Sequence, residues 1–228
     1  MILKQTKIIF KPKFTGSDFM RALKKPFHQV ITKEQTAYGG NQAWFPYGFL
    51  RKTGCGVISA SDVLLHLHGK ESMTEEAYIA FAKNLWLHYL PVIPGFGMNG
   101  LTLMTGLNLY FKKQRLPYRA CWRISSGKMI SHIDKMLGKD IPVILSVGPN
   151  FPKFWGKQKL NFYTKINDKY IPSTKICAHF VTVTGRDGAY LKISSWGKEY
   201  YIDIREYREY VRSYSSYLVS NILVICKK

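Results

Sequence analysis

The chain has 228 residues, of which 46% are hydrophobic and 14% aromatic, enough for one sizeable core or for one domain in two lobes. Thirteen Phe, 15 Tyr and 5 Trp exclude a disordered chain, and no run approaches the roughly 20 apolar residues of a membrane-spanning helix. With 34 Lys and Arg against 14 Asp and Glu, the net charge of +20 draws anionic partners: nucleic acid, acidic lipid surfaces, anionic wall polymers or acidic peptides.

The first residues, Met1 to Phe10, interrupt an apolar run with lysines and lack a small-residue cleavage site, so no signal peptide is predicted there. Residues 1–40 read as a lysine-rich, partly extended N-terminal extension packed on a single domain of residues 41–228. A helix is predicted from near Cys55. Thr53 and Gly54 precede it, Val57, Ile58, Leu64 and Leu65 give it an apolar face, and Gly69 stops it. A second starts at Ser72, where Ser72 and Glu75 form a capping box, and runs to the Leu90-Pro91 break.

Gly95-Phe96-Gly97-Met98-Asn99-Gly100 spells a dinucleotide-type glycine motif. It follows Pro91 and Pro94 rather than a strand and has no acidic residue about 20 positions on, so it reads as a bent loop at the rim of a cleft. Further helices are predicted over about 101–113 and 128–137. After Ile141 the pattern turns to strands at 141–147, 159–166, 175–184, 189–195, 200–204 and 220–226. One helix, about 205–217, intervenes, with Tyr207, Tyr210 and Tyr214 as its inward stripe. Helices first and an antiparallel sheet later make an α+β domain with two unlike lobes and a cleft between them.

Cys55, Cys121, Cys177 and Cys226 are far apart and form no CxxC pair, so free thiols are expected. His66 and His68 point apart on a helix; no metal site and no cofactor are expected. The basic residues carry no specific nucleic-acid motif.

Thr53-Gly54-Cys55-Gly56 places a thiol at a helix start. Unsatisfied N–H groups there lower a thiol's pKa and can hold an oxyanion, and the two glycines leave room for a substrate carbonyl. Taken alone, the segment reads equally as a buried core cysteine. A base is available in His179, on a strand that returns through Gly185-Arg186-Asp187-Gly188. With Arg186-Asp187 as a two-residue loop, His179 faces Ser194, close enough for a hydrogen bond; one extra loop residue would make the partner Ser195. Trp196 would shield that contact.

These stretches resemble the papain-like cysteine peptidases, in particular the bacterial C39-like group. Trp44-Phe45-Pro46-Tyr47-Gly48 followed by Gly54-Cys55-Gly56 is similar to that group's approach to the nucleophile helix. Residues 129–146 resemble its helix, short loop and Pro-Val strand, and residues 178–185 its HxVxVxG histidine strand. Ile193-Ser194-Ser195-Trp196-Gly197 resembles the papain Asn-Ser-Trp-Gly stretch, or the Asp-Pro-Trp of the C39-like group. The likeness runs from about residue 42 to 204, with His179 124 positions after Cys55.

The resemblance implies a papain-like two-lobed fold, Cys55 as nucleophile and His179 as its proton partner. Ser194 stands where the family has Asn or Asp, and a hydroxyl carries no charge to stabilise an imidazolium. The oxyanion donors would be the Cys55 N–H and Gln42, which lies 13 residues upstream and either reaches the cleft on a longer loop or is an exposed loop residue. Gly54, Gly56 and Trp196 would wall the site. The implied activity is a thiol peptidase or amide hydrolase on a peptide or protein substrate, with an acidic substrate or anionic polymer favoured by charge. The alternative is a weak or inactive papain-like module that binds anionic polymers or acidic partners. Free cysteines suit a reducing interior, whereas relatives of this frame are often exported, so the compartment stays open.

Overall fold

The computed structural model describes residues 20–124, 127–153 and 155–228. The first half of the expected N-terminal extension, residues 1–19, lies outside them. Residues 20–40 supply three short strands, β1 (Arg21–Ala22), β2 (Gln29–Ile31) and β3 (Thr36–Tyr38). A 3-10 turn at Gln42–Trp44 leads into α1 (Gly48–Thr53) and, across Gly54 alone, into α2 (Cys55–Leu67). Then come β4 (Ser72–Thr74), α3 (Glu75–His88), α4 (Gly100–Lys113), β5 (Tyr118–Arg123) and α5 (Met129–Leu137).

The second half is strand-rich: β6 (Val143–Val147), β7 (Leu160–Ile166), β8 (Lys169–Ile176), β9 (His179–Asp187), β10 (Tyr190–Ser195) and β11 (Lys198–Asp203). It closes with α6 (Ile204–Tyr214) and β12 (Ile222–Lys227). Among the described residues these strands form one antiparallel sheet in the order β5-β12-β6-β9-β10-β11-β7-β8, with β1 added to the end of β9. A second sheet, β3-β2-β4, is small. The protein is therefore an α+β domain built on a large antiparallel sheet.

Three local differences from the sequence reading have physical causes. The second helix begins at Glu75, not Ser72, because Thr74 caps it by accepting from the Ala77 N–H, leaving Ser72 free to pair as β4 beside β2. The expected strand 175–184 is two strands, since Ala178 at φ 52° breaks the extended backbone between β8 and β9. β8 itself turns back on β7 through Asn167-Asp168, both left-handed at φ 48° and 60°, a type of pair that favours tight hairpins. The short strand β5 was not anticipated.

The centre of the molecule is α2. Every residue from Gly56 to His66 is buried, so this helix is covered on all sides rather than on one stripe. It packs against β9, β6, α3 and α4. α6 packs against β11 and β7, with Tyr207 and Tyr210 inside and Tyr214 turned partly to solvent. Tyr207 also donates from its hydroxyl to the Ser146 carbonyl at 2.9 Å. Tyr207→Ala is expected to cost about 3–5 kcal/mol in chemical denaturation and Tyr214→Ala under about 1 kcal/mol. Equal losses would contradict this difference in burial.

Candidate functional site

Gly54 ends α1 and opens α2, and no side chain caps the first N–H groups of α2. Cys55 follows, part-exposed at the residue level. The backbone amides of Phe180 on β9, of Gly56 and of Cys55 itself lie near its sulfur and favour the thiolate. Burial nevertheless outweighs these donors and pushes the thiol pKa up, contrary to the lowered pKa expected from a helix start. The room expected at the two glycines is also filled. A Cβ on Gly54 would meet the Leu50 carbonyl at 2.5 Å, and one on Gly56 would touch Phe180 and Met98 at 3.4 and 3.5 Å. Gly54 is thus required by the tight α1–α2 junction.

His179 opens β9, one residue before Phe180, so Cys55 and His179 are brought to the same end of the α2–β9 contact. The thiol lies near the Phe180 amide, while the imidazole Nε2 hydrogen-bonds to Ser195 Oγ at 2.9 Å. Trp196 lies over the imidazole, ring centroids 4.7 Å apart and 26° from parallel, and Phe162 lies 6.5 Å away. This enclosure lowers the His179 pKa to about 4 by desolvation. Two non-glycine residues at positive φ, Ala178 and Trp196 (both 52°), flank the pair in sequence, a backbone cost typical of sites whose geometry the surroundings impose.

The expected His179–Ser194 contact is corrected. Asp187 pairs with Tyr190, so the two-residue loop is Gly188-Ala189, and a bulge between Lys192 and Ile193 sets Ser194 opposite Thr182. The loop is displaced because Arg186 and Asp187 are held in the strand. Arg186 binds Asp134 at 2.8 Å, and Asp187 accepts from Lys165 and Tyr170. Ser194 turns to α2 instead, lying 2.8 Å from the Tyr38 carbonyl and 3.3 Å from Asp62 Oδ2. Ser195 is the residue at the imidazole.

Gln42 is buried rather than exposed, and its amide donates to the Arg51 carbonyl at 2.7 Å, bracing α1. That bond takes one of its two amide hydrogens, and the Cys55 and Gly56 N–H groups are the donors gathered at the sulfur. The glycine motif is a tight turn closed by an Ile93–Gly97 bridge, with Gly95 and Gly97 left-handed. Its base touches the end of α1: a Cβ on Gly97 would lie 3.5 Å from the Thr53 carbonyl. Its tip exposes Ile93 and Phe96, the latter 90% accessible. On the other side of Trp196 lies a cleft of about 440 Å³ shared with Trp44, Asn41, Glu75 and Glu76.

Sequence reasoning missed Asp62. Its signal was a carboxylate inside the apolar run Val57 to Leu65, which a buried helix tolerates only where donors converge. The remaining cysteines are structural: Cys121 and Cys226 sit in the β5–β12 pair, and Cys177 lies 3.3 Å from the Tyr210 hydroxyl. His66 and His68 bond separately, to Asp140 and to Tyr110. Among the described residues, no His, Cys, Asp and Glu cluster of metal-binding size occurs and no helix is long and apolar enough to cross a membrane. Searches against protein-family models and against curated proteins find no match.

Because unfolded His179 protonates below pH 6.5 while the folded residue stays neutral to about 4, the unfolded state binds the extra proton across that window. Stability then falls as pH drops. Denaturation curves should show the wild type losing about 3 kcal/mol more than His179→Gln between pH 6.5 and 4. Parallel curves would contradict the buried neutral imidazole.

Proposed function

We propose that the protein is a thiol hydrolase of peptide or amide bonds, with the papain-like, C39-like frame that its motifs resemble. The observation that carries this reading is the pairing of His179 with Ser195 under the Trp196 ring, one residue from the amide that meets the Cys55 thiol. A thiol, an oriented imidazole and helix N–H groups that no side chain caps are the parts an acyl transfer needs.

In the proposed cycle the thiol and imidazole start neutral. The two side chains come into contact when substrate binds. As Cys55 sulfur bonds to the substrate carbonyl carbon, its proton passes to His179, and the carbonyl electrons move onto an oxygen held by the Cys55 and Gly56 N–H groups. Protonation of the leaving nitrogen by His179 breaks the C–N bond and leaves a thioester. Water, activated by the same imidazole, then releases the acid and restores the thiol. Ser195 accepts from the other imidazole nitrogen and fixes the ring, but supplies no charge to the imidazolium. The +20 surface favours acidic substrates or work beside an anionic polymer.

The raised thiol pKa and the lowered imidazole pKa favour a second reading, a binding module that keeps the frame without turnover. Such a module would bind an anionic polymer with steep salt dependence, unaffected by Cys55→Ala.

Digestion of an unbiased peptide library, read by mass spectrometry, separates the two. The hydrolase reading expects cleavage that Cys55→Ala and His179→Ala each reduce by about 10³-fold or more. Ser195→Ala should cost about tenfold, near the worth of one hydrogen bond, and Ser194→Asn should not raise turnover. Cleavage that survives Cys55→Ala, or none in the wild type, would overturn it.

A further inference from the structure

Asp62 lies two helical turns beyond Cys55 on α2 and is 2% exposed. Three donors from three separate segments meet one oxygen of its carboxylate, and the Ser194 hydroxyl, shared with the Tyr38 carbonyl at 2.8 Å, faces the other. Oδ1 receives the His28 Nε2 at 3.1 Å, the Gly40 N–H at 3.0 Å and the Tyr78 hydroxyl at 2.7 Å. Oδ2 lies 3.3 Å from the Ser194 hydroxyl. His28 is 1% exposed, its Nε2 faces Asp62 and its Nδ1 has no hydrogen-bond partner.

Two of these four contacts lead to the imidazole of His179. Through Ser194, Asp62 holds the residue next to Ser195. Through Gly40 it holds a short strip that is sewn to the Trp196 turn: the Gly197 N–H donates to the Gly40 carbonyl and the Tyr38 N–H to the Gly197 carbonyl, both at 2.8 Å. The strip fits only because Gly39 lacks a side chain, as its Cβ would lie 2.3 Å from Ser194 Oγ and 2.8 Å from Asp62 Oδ2. Trp196 and Gly197 both hold positive φ, 52° and 71°, a turn that needs outside support. The other two donors, on His28 and Tyr78, anchor Oδ1, the same oxygen that the Gly40 N–H meets.

We infer that Asp62 is a positioning residue for the candidate site: it fixes Ser195 and Trp196 against His179 through Ser194 and Gly40. The inference rests on the hydrolase reading for its consequence in turnover, but not for the geometry. It also makes residues 28–40 a working part of the site rather than an appendage to it.

The test is the titration of the His179 ring by NMR in the full-length chain, alongside turnover. In Asp62→Asn one carbonyl oxygen and one amide replace two acceptor oxygens facing four donors. Loss of the Trp196 cover should move the His179 midpoint up from about 4 by at least about one unit. Turnover should fall at least about tenfold with KM changed less than about threefold. If Asp62→Asn does not fold, Ser194→Ala and Tyr78→Phe decide. Each removes one donor to Asp62, but only Ser194 leads to the imidazole, so only Ser194→Ala should move the midpoint. A folded Asp62→Asn with an unchanged midpoint, or equal midpoints in Ser194→Ala and Tyr78→Phe, overturns the inference. A wild type without turnover but with the expected midpoint shifts would overturn the hydrolase reading alone.

Discussion

The constraint on which the rest depends is the burial of α2 against β9 and β6. A helix covered on all sides must find an acceptor or donor for each polar group it carries, and three of those partners lie along the adjacent strands β9 and β10. Cys55 meets the Phe180 amide, the Ser59 carbonyl lies 3.5 Å from the Thr182 hydroxyl, and Asp62 reaches Ser194. The three contacts run in step along helix and strands, so the helix cannot slide without breaking several of them at once. This fixed seating leaves the uncapped end of α2 beside the first residue of β9.

Burial also decides the electrostatics. The same packing that holds the thiol and the imidazole strips water from both, and it favours the uncharged form of each. N–H groups around the sulfur oppose this and are outweighed. A chain with a charged third residue would shift the balance toward an ion pair; Ser195 orients the ring without doing so. In the proposed chemistry, charge therefore develops during the reaction rather than before it, which places the demand on orientation and on the helix N–H groups.

Much of this was legible in the sequence because it is written in local patterns. The helix at Cys55, the change to strands after Ile141 and the strand carrying His179 follow from periodicity and from glycine stops. The register of the β9–β10 hairpin was not. It is set by Arg186 and Asp187, which bind Asp134, Lys165 and Tyr170 from distant segments, and by a bulge that no local signal announces. A shift of that kind exchanges Ser194 for Ser195 and sends each to the opposite side of the strand. Asp62 was hidden for the same reason, since its donors come from residues 28, 40, 78 and 194 and converge only in three dimensions.

The central claim is that the reactivity of one sulfur depends on one imidazole. The most direct measurement is the rate at which a peptidyl electrophile labels each of the four cysteines at pH 7, resolved by mass spectrometry. The account predicts that Cys55 reacts fastest and that His179→Ala slows it at least about tenfold, leaving Cys121, Cys177 and Cys226 unchanged. Cys55 labelling at the same rate with and without His179 would contradict it.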